Sequence, residues 1–381
     1  MRKLKAGVVG IGFIGAVHVE ALKRIGQVEV AAICSSSPNG QDKANQMGVS
    51  KCYSSYDDLV NDPDIDCIHI CTPNSMHYDQ AKKALLAGKH VVCEKPLTTT
   101  VEEAEELISL AGEKKLVHST NFNMRFYPLR FELRSLIASN ELGEIYSING
   151  SYEQDWLFYD TDYSWRLETE LSGSSRAVAD IGSHWLDLME FVTGERVESV
   201  LADFATFHKT RKKPLKNVET YSGKLLQADE YEEVPIKTED YANVLLRFKG
   251  GARGALTVSQ VFAGKKNCLM FEIAGSKKSA AWNSERPNEI WIGRRDEANQ
   301  IIMKDPSLMS ESARKVISYP GGHNEGFADT FKQNFIKIYD AIASGSPEPG
   351  PEYATFEAGK REALLCEKII ASNKSDNWVK I

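Results

Sequence analysis

What this chain lacks narrows its function first. It has no long hydrophobic run near its start: the uncharged stretch at residues 6–19 ends at Glu20 after 14 residues, short of the ~20 that a membrane-spanning helix needs. Basic residues before that stretch give it the look of a signal peptide, but no convincing cleavage site follows. Cysteine is sparse, with 7 residues and no C-x-x-C pair. An odd, scattered set such as this excludes a disulfide framework and suggests the reduced thiols of a cytoplasmic protein. Cys71 shares a strand face with His69, and that pair reads as core. An excess of positive charge is also missing. Lys and Arg number 46 against 53 Asp and Glu, for a net charge of −7, which argues against nucleic acid as the main partner. The basic stretch "HKTRKKPLK" at 208–216 reads as a local, solvated loop. There is no internal repeat and no low-complexity tail.

What is present is an ordinary globular composition, 42% hydrophobic and 26% charged over 381 residues, enough for two domains with sizeable cores. Over the first 120 or so residues, short apolar runs alternate with helical patterns. "KAGVVGI", "VEVAAIC", "DCIHICT", "HVVCEKP" and "LVHSTNFN" read as five strands, with helical patterns between them. That alternation predicts a parallel, doubly wound sheet. After about residue 125 the rhythm changes to consecutive strand patterns, among them "GEIYSINGSYEQ", "VESVLADFATF", "YANVLLRF", "ARGALTVSQVF" and "NCLMFEIAG". Strands without intervening helices predict an open, mostly antiparallel sheet. Residues 209–238 are polar and read as a long loop or excursion. Two amphipathic helices close the chain. The expected fold is therefore α/β, an N-terminal Rossmann domain at 1–124 followed by an α+β domain at 125–381.

Gly10-Ile11-Gly12-Phe13-Ile14-Gly15 is G-x-G-x-x-G where the first strand turns into the first helix. The glycines allow a tight turn, close approach of a pyrophosphate, and close packing of helix on sheet, with the anion at the helix N-terminus. In this context the motif predicts dinucleotide binding. The end of the second strand normally separates NAD from NADP: a carboxylate binds the ribose hydroxyls, an arginine the 2′-phosphate. Cys34-Ser35-Ser36-Ser37 has neither, and the nearest cation is Lys43. NAD or NADP remains open, with NAD favoured.

"CTPNSMH" (71–77) and "CEKP" (93–96) fall at the carboxyl ends of strands, where open α/β sheets bind ligands. Lys95, before a proline, has its backbone biased to extended geometry. A lysine facing a cofactor cleft can hold a substrate hydroxyl and assist its deprotonation, although a lysine before a proline is also an ordinary surface residue. "AVADIGSHWLDLMEF" (177–191) reads as a mostly apolar helix that carries Asp180, His184 and Asp187. At about 100° per residue, steps of four and three put them on one side. No cysteine or second histidine stands nearby at ligand spacing, so no metal is expected. A buried polar network is the remaining structural alternative. Asp187 suits either hydrogen-bonding structure or substrate hydroxyls.

In order along the chain, "GIGFIG", "CTPNSMH", "CEKP", "NFNMRFYP" and "SGSSRAVADIGSHWLDL" resemble the family of glucose–fructose oxidoreductase, myo-inositol dehydrogenase and the rhizopine-catabolism proteins (Gfo/Idh/MocA). The resemblance covers essentially the whole chain. It implies an NAD(P)-dependent oxidoreductase of sugars, glycosides or cyclitols, whose second domain binds substrate and often forms the oligomer interface through its open sheet. It further implies that Lys95 contacts the reacting hydroxyl, that His184 is the proton acceptor during oxidation, and that Asp180 orients or assists it. The cofactor would meet Gly10, Gly12, Phe13, Ile14, Gly15, Ser35, Ser36, Thr72, His77 and Lys95. Asn74 and Glu94 would touch the nicotinamide-side ribose, with Asn123 near the nicotinamide. Trp165 and Arg166 resemble a Trp-Arg pair that contacts cofactor in the glucose–fructose oxidoreductase branch. The serines after the second strand depart from the acidic pattern of many NAD-using members.

A base near neutral pKa suits the conversion of a secondary alcohol to a ketone, and histidine supplies it. "YEQDWLFYDTDYSWR" concentrates rings and acids that suit a polyhydroxylated substrate, with Trp156 and Tyr163 as contacts, but it also suits a loop packed on the sheet. His323 in "YPGGHNEGF" is either a substrate contact or part of a turn. Two other functions stay open: an NAD-dependent redox-cycling glycoside hydrolase, and a cofactor-binding regulator without turnover. The expected partners are a small polyol and further copies of the chain, as a dimer or tetramer, with neither nucleic acid nor membrane.

Overall fold

A computed structural model describes residues 2–215, 230–345 and 349–381. The chain divides into two units, Met1–Phe126 with Phe327–Ala363, and Tyr127–Gly326 with Leu364–Ile381.

The first unit is built on strands β1 (Leu4–Val9), β2 (Val28–Cys34), β3 (Cys52–Tyr53), β4 (Cys67–Ile70), β5 (His90–Cys93) and β6 (His118–Thr120), interleaved with helices α1 (Phe13–Lys23), α2 (Gly40–Gln46), α3 (Tyr56–Val60), α4 (His77–Leu86) and α5 (Val101–Lys114). The strands run in the order β3-β2-β1-β4-β5-β6, and every pairing is parallel. This is the dinucleotide-binding order, with the crevice where the order reverses. The centre is nearly all apolar: Val9, Ile68, Ile70, Val91 and Cys93 pack with Ala81, Leu85 and Leu107 of the covering helices. Strands buried on both faces read as continuous apolar runs, which is why the sequence reveals them. Two short elements escape that reading. β3 and α3 lie between the second and third strands counted in the sequence, too short to show periodicity, so the third strand counted is the fourth.

The second unit opens with α6 (Pro128–Ala138), β7 (Ile145–Glu153) and a short α7 (Thr169–Ser172). A π-helical turn at Val178–Gly182 leads into α8 (Ser183–Thr193). The strands that follow are β8 (Val197–Ala205), β9 (Thr210–Pro214), β10 (Tyr231–Pro235), β11 (Tyr241–Phe248), β12 (Arg253–Ser259), β13 (Cys268–Gly275), β14 (Ser279–Asn283), β15 (Glu289–Gly293) and β16 (Gln300–Met303), then the short α9 (Glu311–Arg314). Helix α10 (Phe327–Ser344) belongs to the first unit, α11 (Phe356–Ser375) begins in the first and ends in the second, and β17 (Val379–Lys380) closes the chain. The large sheet has nine strands in the order β16-β15-β14-β13-β7-β12-β11-β8-β17. Only β12 and β7 pair in parallel, so the sheet is mostly antiparallel as expected. Alternation in β11 is strict, with Ala242, Val244, Leu246 and Phe248 buried. Trp185 of α8 is fully buried and donates from Nε1 to the Met270 carbonyl at 3.0 Å, pinning the helix to the sheet.

Three expectations are corrected here. The polar excursion is not simply a loop: β9 and β10 pair antiparallel from Tyr231↔Pro214 to Pro235↔Thr210. Residues 216–229 between them, including the last lysine of the basic stretch, lie outside the described residues. The stretch is not simply solvated either, because Arg211 is 1% exposed and its guanidinium is held by buried acceptors. In addition, the helix at 177–191 is not α throughout. Its first turn is π-helical, so the uniform angular step assumed for Asp180 does not hold there; such wide turns recur at functional sites.

Candidate active site

In the first unit the candidate cofactor residues lie at the carboxyl ends of β1, β2, β4, β5 and β6. Gly10 has φ +83°, open to a residue without a Cβ, and a Cβ there would stand 2.6 Å from the Cys71 carbonyl oxygen. A Cβ on Gly15 would stand 2.0 Å from the Gly10 carbonyl oxygen. These two glycines are demanded by the turn itself. Gly12 is different: a Cβ there would meet nothing within 4 Å. It is the N-cap of α1, without a capping side chain and without an acid in the first turn. Open space beside uncapped, electropositive amide groups fits a pyrophosphate. Phe13 is exposed and Ile14 half-buried beside it. After β2, Ser35 is half-buried and Ser36 exposed, and Ser35 Oγ accepts from the Ser37 amide at 3.2 Å.

Thr72 donates from Oγ1 to Gln80 at 2.7 Å. His77 is buried and sets both ring nitrogens on backbone carbonyls, Pro96 at 2.7 Å and Thr72 at 2.8 Å. It thereby ties the loop after β4 to the turn carrying Lys95, whose bond to Pro96 is cis. Asn123, 3% exposed, donates to Thr330 Oγ1 at 2.8 Å. Glu94 sits at the end of a buried chain that the sequence does not reveal. His18 Nε2 meets Glu94 Oε1 at 2.9 Å, His18 and His69 meet through their Nδ1 atoms at 3.0 Å, and His69 Nε2 meets the Tyr339 hydroxyl at 3.0 Å. Asn121 also donates to Glu94. Burial works to raise the Glu94 pKa, but bonds from His18 and Asn121 and the charges of His18 and Lys95 outweigh it and hold it at about 2. Burial, with the nearby His18, pushes His69 well below the ordinary histidine value.

In the second unit, Asp180 sits in the π-helical turn. Its Oδ2 accepts from Gln260 Nε2 at 2.8 Å, and its Oδ1 lies 3.4 Å from Arg166 Nε. The Arg166 guanidinium lies over the Trp165 ring, 4.6 Å from its centroid. His184 is 7% and Asp187 4% exposed. The start of this helix is held by Glu239, whose Oε1 accepts from Ser175 Oγ and from the amides of Arg176 and Val178 at 2.7–3.0 Å. Burial raises the Glu239 pKa despite those donors. Beside it, Asp240 pairs with two arginines, Arg176 and, at 2.9 Å, Arg211, all three buried. Burial opposes the Asp240 carboxylate, yet the arginines and the His208 amide keep its pKa below the ordinary value.

Trp156 and Tyr163 pack with Val234 of the hairpin against Leu157, Leu167 and Ile236. Trp156 donates to Gln154 at 2.8 Å, and Tyr163 to Glu168 at 3.2 Å. His323 is exposed, with its ring 3.3 Å from the Gly321 carbonyl two residues back. Sequence reasoning missed Arg176, Arg211, Glu239, Asp240 and Gln260. The one signal was the acidic pair Glu239-Asp240 directly before an apolar strand. Among the described residues, no group of three or more His, Cys, Asp or Glu is placed to hold a metal ion, and no helix is long and apolar enough to cross a membrane.

Residues 4–122 match the family described as "Oxidoreductase family, NAD-binding Rossmann fold", and residues 131–281 match "GFO/IDH/MocA C-terminal domain". An oxidoreductase domain protein from Kribbella flavida has a similar structure, at TM-score 0.89 and 30% identity over 100% of both chains. The chain therefore belongs to the Gfo/Idh/MocA family of NAD(P)-dependent oxidoreductases. A levoglucosan dehydrogenase from Pseudarthrobacter phenanthrenivorans is 28% identical over 396 residues, spanning 100% of this chain and 99% of that protein. A solved complex of levoglucosan dehydrogenase with NADH and levoglucosan matches at TM-score 0.88 and 26% identity, over 100% of this chain and 99% of that one.

Proposed function

We propose that this enzyme is a dehydrogenase that interconverts a secondary hydroxyl and a ketone on a sugar, glycoside or cyclitol. The observation that carries the reading is its full-length likeness to a levoglucosan dehydrogenase. The nicotinamide, when bound, supplies the hydride acceptor. Gly12 and the first turn of α1 hold the pyrophosphate, and Glu94 binds the adjoining ribose. Lys95 holds the reacting hydroxyl with its ammonium group. His184 takes the hydroxyl proton, and Asp180 orients the imidazole and supports its positive charge, which is general base catalysis worth about 10² to 10⁴ in rate.

The test is incubation of the enzyme with NAD⁺ and then NADP⁺ against inositols, hexoses, anhydrosugars and alkyl glycosides, following reduced nicotinamide and released aglycone together. Reduction with one class of polyol is expected, whereas aglycone release without net reduction would replace the reading with redox-cycling hydrolysis. Lys95→Met and His184→Ala should each lower turnover by at least about 10² while NADH still binds. Near-normal turnover in both removes the assignment of these residues.

The same reading includes self-association through the uncovered face of the large sheet. Leu245 stands between Leu201 and Ala255, and Trp291 pairs with Ile301. Leu245, Trp291, Ile301 and Met303 are 37–61% exposed, an apolar surface that a second copy would cover. Light scattering should give a multiple of 42.5 kDa, and a stable monomer would refute it.

A further inference from the structure

We infer that Gln260 is a positioning residue for Asp180, held in place by a chain of buried charges that starts at the hairpin β9–β10. The inference rests on the catalytic role proposed for Asp180. Gln260 follows directly after β12 and is 0% exposed. Its Oε1 accepts from Arg176 Nη1 at 2.9 Å, and its Nε2 donates to Asp180 Oδ2 at 2.8 Å. Chemistry fixes which way the amide points: a guanidinium only donates and a carboxylate only accepts, so the oxygen must face Arg176 and the NH₂ group Asp180.

Arg176 is held in turn. Its Nε donates to Thr238 Oγ1 at 3.3 Å, and its Nη2 pairs with Asp240. Asp240 shares the same carboxyl oxygen with Arg211, 2.9 Å away. The Arg211 nitrogens also donate to the carbonyls of Leu157 at 2.9 Å, Tyr159 at 2.8 Å and Asp162 at 3.2 Å. A continuous chain therefore runs from the aromatic loop 157–162 through Arg211, Asp240, Arg176 and Gln260 to Asp180, all within the second unit. Asp240 neutralises much of the arginine charge before it reaches Asp180, and the neutral amide adds a directed donor without another full charge. With Arg166 Nε 3.4 Å from the other oxygen, the carboxylate is gripped at both ends and cannot rotate freely. The hairpin thus couples the placement of an aromatic, acidic loop to the orientation of the candidate catalytic carboxylate.

A role limited to satisfying Arg176 makes a different prediction. Gln260→Glu keeps an oxygen for Arg176 and replaces only the donor to Asp180 with a second carboxylate. Two carboxylates then compete for one proton. Asp180 is followed by ¹³C NMR in the full chain labelled at aspartate Cγ, its resonance identified by loss in Asp180→Asn. In Gln260→Glu its titration midpoint should rise by at least about one pH unit relative to the unaltered enzyme. Turnover of the polyol oxidised in the panel above should fall about tenfold or more, in kcat rather than in KM for the dinucleotide. Gln260→Met removes the donor to Asp180 together with the acceptor of Arg176, without adding charge, and serves if the glutamate variant does not fold. It should move the midpoint the same way by less. An unmoved midpoint in both variants, or wild-type kcat in Gln260→Glu alongside an inactive Asp180→Asn, overturns the inference alone. Full activity in Asp180→Asn removes the proposed catalytic role of Asp180 and this inference with it.

Discussion

Each unit holds a carboxylate that the proposed chemistry needs, and the two do so by opposite means. Glu94 is approached through imidazole rings, a buried run from the Tyr339 hydroxyl through His69 and His18 to the carboxylate. Asp180 is approached through full charges, two buried arginines balanced on Asp240 and relayed by one amide. The difference lies in what each network can tolerate. A run of rings carries fewer buried ions than the arginine network, but burial holds His69 below the ordinary histidine value, which makes the run sensitive to mild acid. Compensated ions ignore mild acid but fail badly when one member is removed.

The harshest way to break the comparison is Asp240→Asn. It leaves the guanidinium groups of Arg176 and Arg211 buried without their counter-charge, a change that typically costs about 3–5 kcal/mol. Calorimetry should show a large drop in the melting temperature of the second unit, and an unchanged transition would contradict the charge balance described here. The corresponding cut in the first unit, His69→Gln, removes one neutral link and should cost about 1–3 kcal/mol. A parallel contrast lies in the glycine turn. Gly15→Ala drives a methyl group into the Gly10 carbonyl and should destabilise the first unit by about 1–3 kcal/mol. Gly12→Ala enters open space, so stability should hold within about 0.5 kcal/mol while NADH titration shows weakened binding.

Acidity gives the smallest and sharpest separation. The folded His69 has its pKa depressed, as do His77, His90 and His118 of the same unit. The unfolded chain therefore takes up protons near the ordinary value of 6.5 that the folded chain refuses. Their stabilisation is present above that value and lost as the pH falls through it. Glu94, held at about 2 against an ordinary 4.5, loses its contribution only between those values. In the second unit Asp240 is depressed from 3.8 and matters only below it. Glu239 is raised, so its contribution is present below 4.5 and lost as the pH rises through its folded value. Hydrogen exchange at pH 7 and pH 5 should thus show the first unit losing protection at the lower pH while the second keeps or gains it. Equal loss in both would refute the contrast, and His69→Gln should reduce the loss in the first unit.

Much of this molecule is legible along the chain because its signals are local. The glycine fingerprint, the apolar strands and the alternation in β11 each report on a few neighbouring residues. Arg211 shows where that kind of reading fails. Inside "HKTRKKPLK" it is one cation among several, and nothing nearby predicts that it turns inward to Leu157 and Asp240. Gln260 is equally unremarked at the end of an apolar strand, since its meaning depends on Arg176 and Asp180, both some 80 residues away. The π-helical turn at Asp180 is hidden for a related reason: a single widened turn leaves the apolar pattern on either side intact.

By itself, the amino-acid sequence determined the alternation of strands and helices and the dinucleotide turn, which follow from steric demands and periodicities that act over a few residues. Its motifs in order carried the resemblance to the family, and that resemblance put forward Lys95, Asp180 and His184 as candidates. Only the tertiary structure decided that Phe327–Ala363 returns to the first unit, and that His18, His69 and Tyr339 form one chain with Glu94. It alone decided that Asp240 pairs with both Arg176 and Arg211 in the core. Buried polar groups must find partners wherever the fold brings them, and the sequence distance between those partners carries no cost once the chain is packed.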